Sequence, residues 1–428
     1  MGMIVLAFKF PKGPPPLLVI GNLHQLGTLP HRSLQSLAKR YGPIMSLRLG
    51  HVPAIIVSSP EAAQLFLKTH DAVFASRPKS QASDYLSYGS KGMAFSEYGP
   101  YWRQMRKLCT LQLLSGSKIE MFGPLRREEV GVLVESIGKS AAAREVVDLS
   151  ERVGELVEDI TYKMVFGRKR DRRFDVKGLV HEALTLVGAF NVADFVPLLA
   201  AFDPQGLTRR LKKNSQEIDE MLETIIEEHE HSPDDHDHKI RKDKDFVDIL
   251  LSSMEDQQNH VIDRTNIKAI LLDMTVASAD TSTTVAEWAL SELMRHPRVM
   301  NNLQHELENT IGNNRMVEEA DLPGLRYLDM VVKETLRLYP VAPLLVPRES
   351  SEDVMIDGYY IRKKSRVIVN AWAIGRDPKV WSDNVEEFYP ESQQRKLDGR
   401  GWFFSNGKLG VTVSTYLNED IGTEISIS

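Results

Sequence analysis

An acid and a hydroxyl stand side by side at Asp280 and Thr281, in a stretch that is otherwise apolar or small. Between Ala269 and Ala286 the only charged residues are Asp273 and Asp280. A buried carboxylate costs several kcal/mol unless it is bonded, so two readings of the pair stand open. One is a core helix with a hydrogen-bonded acid and a threonine bonding back to a carbonyl. The other is a proton-handling pair beside a flat cofactor, which Ala277 and Ala279 would let approach the backbone. Two more pairs have spacings that bring them together on a helix. Trp102 and Arg106, four apart, read as an aromatic–arginine packing pair. Glu334 and Arg337, three apart, read by default as a surface ion pair of little energetic weight.

The elements that must position these residues follow from patterning. Thr265 to His296 reads as one helix, capped at Thr265 and ended by Pro297. About 30 residues at 1.5 Å each make a rod of roughly 45 Å, and an apolar character on every face predicts burial. Pro100 opens the helix of Trp102 and Arg106. Tyr327 to Tyr339 is a second strong helix, with Leu328, Val331, Val332 and Leu336 as its apolar stripe and Pro340 as its stop. Leu34 to Tyr41 is a short helix, and Ser59-Pro60 starts another through about Thr69. Ile44–Leu49 and Ala54–Val57 form a hairpin around Gly50. A second hairpin joins Val354–Ile356 to Tyr359–Ile361 through Asp357-Gly358, and Arg366–Asn370 adds a strand. Tyr85 to Ser96 is irregular and suited to one wall of a pocket. Val146 to about Glu230 reads as amphipathic helices broken at Gly167 and Asp203-Pro204.

Composition narrows the class without naming it. A net charge of −6 over 428 residues gives no sign of a nucleic-acid partner. The single cysteine, Cys109, excludes an internal disulfide and any cysteine-rich metal site, and fits a reducing compartment. Glu227 to Asp245 is dense in charge, with His229, His231, His236 and His238, and reads as a solvated loop rather than a metal site. Met1–Phe10 is too short to cross a bilayer, which takes about 20 residues, and resembles at most the remnant of an anchor. Pro11 to Pro16 is stiff and extended.

Together these motifs resemble the heme-thiolate monooxygenases, the cytochrome P-450 family, and within it the plant microsomal A-type. The residues that carry the resemblance are the proline-rich hinge at Pro11–Pro16, Trp102-x-x-x-Arg106, Ala277-x-x-Asp280-Thr281, Glu334-x-x-Arg337, and Ala371 to Pro378. They occur in the family's order over roughly Pro11 to Glu391, with Ser278 where relatives carry glycine. The resemblance implies one large domain, mainly α with small β sheets. It implies heme, with Trp102, Arg106 and Arg348 at the propionates and no metal ligand among the matched residues. Asp280 and Thr281 would deliver protons, and Glu334 and Arg337 would brace the cofactor loop. It further implies a small apolar organic substrate facing Val341–Pro347, NADPH–cytochrome P-450 reductase as electron donor, and a monomer at the cytosolic face of the endoplasmic reticulum membrane.

The match breaks after Phe388-Tyr389-Pro390-Glu391. Ser392 and Gln393 replace the Arg-Phe that relatives place next, and 392–428 resembles nothing in the family. Phe404-Ser405-Asn406-Gly407-Lys408 is a weak echo, without cysteine, of the loop that supplies the iron's thiolate. Such a break looks like a frameshift, an alternative splice or a faulty gene model, with a poorly packed tail. Cys109 lies seven residues beyond Trp102 on the same helix face, yet that helix meets the propionate edge in relatives, so the thiol reads as a small hydrophobe. The expectation is therefore a monooxygenase by descent and an inactive chain as written. The alternative is a truncated, non-catalytic binding protein.

Overall fold

The computed structural model describes residues 9–171, 173–231, 244–255, 262–381 and 384–396. It is mainly helical with two small sheets, built around the helix Arg264–Arg295. That helix is packed most heavily against Leu149–Phe166, and further against Val176–Gly188, Phe246–Glu255 and Arg326–Leu338. The largest apolar cluster forms where these helices meet, with Ile267, Ile270, Leu271 and Met274 contributed by the long helix. No described helix is long and apolar enough to cross a membrane.

The long helix starts two residues before the expected cap. Asp263 accepts from the Asn266 N–H, and the Asn266 side chain accepts from the Asp263 N–H, a reciprocal capping box. Burial on every face holds only for its first half. Asn266 to Leu272 are all buried, whereas from Val276 to Ser291 only Thr281 is. The apolar and small residues from Val276 to Thr281 are partly cavity wall, which a pattern of side-chain types does not distinguish from core. Pro297 ends the rod as expected and opens the next helix, Pro297–Thr310.

The strands are β1 (Ile44–Leu49), β2 (Val52–Val57), β3 (Arg348–Glu349), β4 (Val354–Ile356), β5 (Tyr359–Ile361) and β6 (Arg366–Val369). β1 and β2 form the expected hairpin, with Ile44 opposite Val57. β6 then adds parallel to β2, Ala54 opposite Arg366, and β3 closes the mixed sheet in the order β1-β2-β6-β3. β4 and β5 form a separate hairpin. Its turn places Asp357 and Gly358 at φ 48° and 75°, the two left-handed positions a two-residue hairpin loop demands.

Two expectations change. His229 and Asp245 are not part of a solvated loop. The helix Leu207–His231 runs through His229, whose Nδ1 bonds the Ile225 carbonyl at 2.7 Å while Nε2 lies 3.3 Å from Asp245 Oδ2, both side chains buried. Burial opposes protonation of this imidazole, but the Asp245 hydrogen bond and charge outweigh it and raise the pKa above its ordinary value. Asp245 also caps the next helix, accepting from the Asp248 N–H, so the pair fastens two helix ends. His236 and His238 lie outside the described residues. The other change is at Glu334 and Arg337, where the ion pair is wholly buried rather than superficial.

Candidate functional site

A cavity of about 120 Å³ opens beside the middle of the long helix. Asp273, Ala277 and Thr281 reach it together because residues four apart share a helix face. The irregular segment after Tyr85 supplies the opposite wall through Met93, Ala94 and Phe95. Trp102 and Arg106 enter from the Pro100–Leu108 helix, and Val346 from the loop after the Tyr327 helix.

The structure brings three of the expected site residues to this cavity, Trp102, Arg106 and Thr281. The Arg106 guanidinium stacks over the Trp102 ring at 5.2 Å, and the indole N–H donates to the Met93 carbonyl at 3.2 Å. Packing pair and cavity edge are thus the same contact. The Thr281 hydroxyl bonds back to the Ala277 carbonyl at 2.5 Å. Asp280, the next residue round the helix, is half-buried and not part of the cavity wall. Arg348 is buried on β3 with its guanidinium turned to Asp71 Oδ1 at 3.2 Å and the Phe74 carbonyl. A second arginine at the cavity, beside Arg106, is Arg77, which donates to the Val346 carbonyl at 2.9 Å.

Sequence reasoning missed Arg77 and Asp273 as cavity residues. Asp273 carried a readable signal, being one of two charges in the apolar stretch and in register with Thr281. Arg77 carried none, since it lies in a loop whose placement depends on the whole fold.

Glu334 and Arg337 form a closed buried unit. Arg337 Nε and Nη2 donate to the two Glu334 oxygens, each at 2.8 Å, and its other donors reach the carbonyls of Gly375, Val385 and Glu387. The lone pairs of Glu334 that an arginine at 392 would have met are taken by neutral donors. The Ser392 hydroxyl stands at 3.2 Å, the Gln393 amide at 2.7 Å and the Tyr389 N–H at 3.0 Å. The break in sequence at Ser392 is therefore bridged by hydrogen bonds from the short helix Pro390–Lys396 to Glu334. The side chain of Arg395, the partner suggested by sequence, lies outside the described residues.

For a flat, carboxylate-bearing cofactor such as heme, the residues present fit the rim and one face. Arg77 and Arg106 supply positive charge with Trp102 beside them, and Ala277 leaves room against the helix. They do not supply a ligand for its iron. Among the described residues no cysteine or histidine lines the cavity, and Cys109 is fully buried in the helical core. Burial, and then the negative charge of Asp273, push its thiol far above the usual range. We expect native Cys109 to resist a thiol reagent such as 5,5′-dithiobis(2-nitrobenzoate) at pH 8 for as long as the fold persists, and to react at once in guanidinium. Prompt reaction of the folded chain would contradict this burial.

The sequence model for cytochrome P-450 matches residues 11–396. Cytochrome P-450 CYP736A12 of Panax ginseng is 55% identical, over 92% of this chain and 79% of its own length. Cytochrome P-450 71A1 of Persea americana is 47% identical over 87% of this chain and 75% of its own, and cytochrome P-450 750A1 of Pinus taeda is 43% identical over 90% and 75%. With the hinge, the long helix, the buried glutamate–arginine pair and the cavity beside the long helix all in place, the chain belongs to the cytochrome P-450 family, the heme monooxygenases that take electrons from a redox partner to oxidise small organic substrates.

Proposed function

We propose that this chain is built for heme-dependent oxygen insertion into a small, largely apolar substrate, but as the 428-residue polypeptide does not carry out that reaction. The observation that carries the reading is a cavity with cationic and indole side chains at one edge and Thr281 on its wall, paired with a sole thiol that is buried elsewhere. Heme, when held through a thiolate, supplies oxygen activation. The chain's own residues would hold its rim with Arg106, Trp102 and Arg77, and keep water out with Val276, Leu184 and Val187. Thr281 would release its bond to the Ala277 carbonyl to pass on a proton that Asp280 relays from outside. Arg348, turned to Asp71, would act on the cofactor edge only by changing partner.

We place the monooxygenase domain at 11–391, followed by a tail that contributes Ser392 and Gln393 to the Glu334 pair. We further propose NADPH–cytochrome P-450 reductase as the electron donor, and a monomer at the cytosolic face of the endoplasmic reticulum. The buried thiol, away from the cavity, favours a second reading, a chain that binds ligands or partners without catalysis. The test is the purified chain supplied with heme, reduced and exposed to carbon monoxide. No thiolate-type Soret band is expected, and the band should return when a cysteine loop is grafted after Glu391. A thiolate-type band from the chain itself, lost in Cys109→Ala, would overturn the proposal.

A further inference from the structure

Asp273 has no part in the chemistry above, yet it is the acidic side chain of the cavity wall. It is half-buried on the long helix and lines the cavity. Both of its hydrogen bonds fall on one oxygen. Oδ2 accepts from the N–H groups of Met93 at 2.5 Å and Ala94 at 3.1 Å, which pins the opposite wall to the helix. Oδ1 takes no hydrogen bond or ion pair among the described residues, and it is not sealed from the cavity space. The contact is closely built, since a Cβ on Gly92 would come within 2.5 Å of Oδ2.

Burial raises the pKa of this carboxyl to about 6, with the two peptide N–H groups opposing the rise. No cationic side chain is among the influences, so Arg77 and Arg106 leave its charge uncompensated although they line the same cavity. At neutral pH the cavity therefore holds a carboxylate with one unsatisfied oxygen among apolar walls of Met93, Phe95, Leu184, Val187 and Met274. Such an oxygen is costly until a donor meets it. An entering cation or N–H group recovers that cost, whereas a purely apolar ligand leaves it in place.

We propose that Asp273 anchors the substrate, its Oδ1 receiving the protonated amine of an otherwise apolar ligand that lies along Ala277 toward Thr281. This rests on the reading that Thr281 marks the reacting end of the cavity. Eight residues separate the two along the helix, a rise of about 12 Å. The substrate class is thus an elongated apolar amine, basic at one end and oxidised near the other.

The experiment measures binding by calorimetry on the full chain, using 4-phenylbutylamine and its neutral counterpart 4-phenylbutan-1-ol. The amine should bind at least tenfold tighter than the alcohol. In Asp273→Asn, which keeps an acceptor for Met93 and Ala94, the preference should fall below about twofold, with alcohol affinity retained. Ala277→Phe, which fills the cavity wall, should abolish binding of both probes. An undiminished amine preference in Asp273→Asn, amine binding that survives Ala277→Phe, or failure of the amine to bind the parent chain would each overturn the proposal. Calorimetry needs no turnover, so a thiolate-type Soret band would sink the inactivity proposal and leave the anchor standing. Equal affinities for the two probes would sink the anchor alone.

Discussion

Glu334→Ala is expected to destabilise the fold by about 3–5 kcal/mol, the cost of leaving one partner of a buried pair without the other. Both side chains are fully enclosed, so Arg337 would keep its charge in the interior with only carbonyl oxygens around it. The loss should show in urea unfolding as a fall in midpoint with little change in slope. Gln393→Ala, which removes one neutral donor from Glu334, should cost only about 1.5–3 kcal/mol, as for a hydrogen bond to a charged group. Equal and small losses in the two variants would mean that the pair is wet, and that the network around Ser392 and Gln393 does not form in solution.

Asp273→Asn should act in the opposite direction, and only at neutral to alkaline pH. The folded pKa is raised from 3.8 to about 6 by burial, so the folded state binds the proton more tightly than the unfolded chain. The group's contribution to stability is fully present below pH 4 and is lost as pH rises through 6. Above pH 7 the ionised carboxylate carries a penalty of about 3 kcal/mol, at 1.36 kcal/mol per pKa unit. The amide carries none, so the variant should unfold later than the parent at pH 8 and converge with it below pH 4. Thermal unfolding of both proteins across that range measures the difference, and a gap independent of pH would remove this account. A residue that costs stability where it lines a cavity is the usual trade between function and fold.

The sequence determined the local elements on its own. The hairpins at Gly50 and Asp357-Gly358 and the stops at Pro297 and Pro340 follow from backbone chemistry within a few residues, and all stand where the pattern puts them. The order of the motifs carried the resemblance to the family, and helix spacing set Trp102 beside Arg106 and Glu334 beside Arg337. What tertiary structure decided was direction and depth. Arg348 and Arg77 are both loop-flanking arginines in sequence, but Asp71 lies near one and the cavity near the other. Long-range pairing, β2 beside β6 across some 300 residues, leaves no local trace. Nor does sequence show that Ser392 and Gln393, which break the family's pattern, supply Glu334 with the donors an arginine would have given. Burial of a charge depends on everything that packs around it. That is why the two acids of one apolar stretch could be named together, and only the folded chain separates Asp280 from Asp273 at the cavity wall.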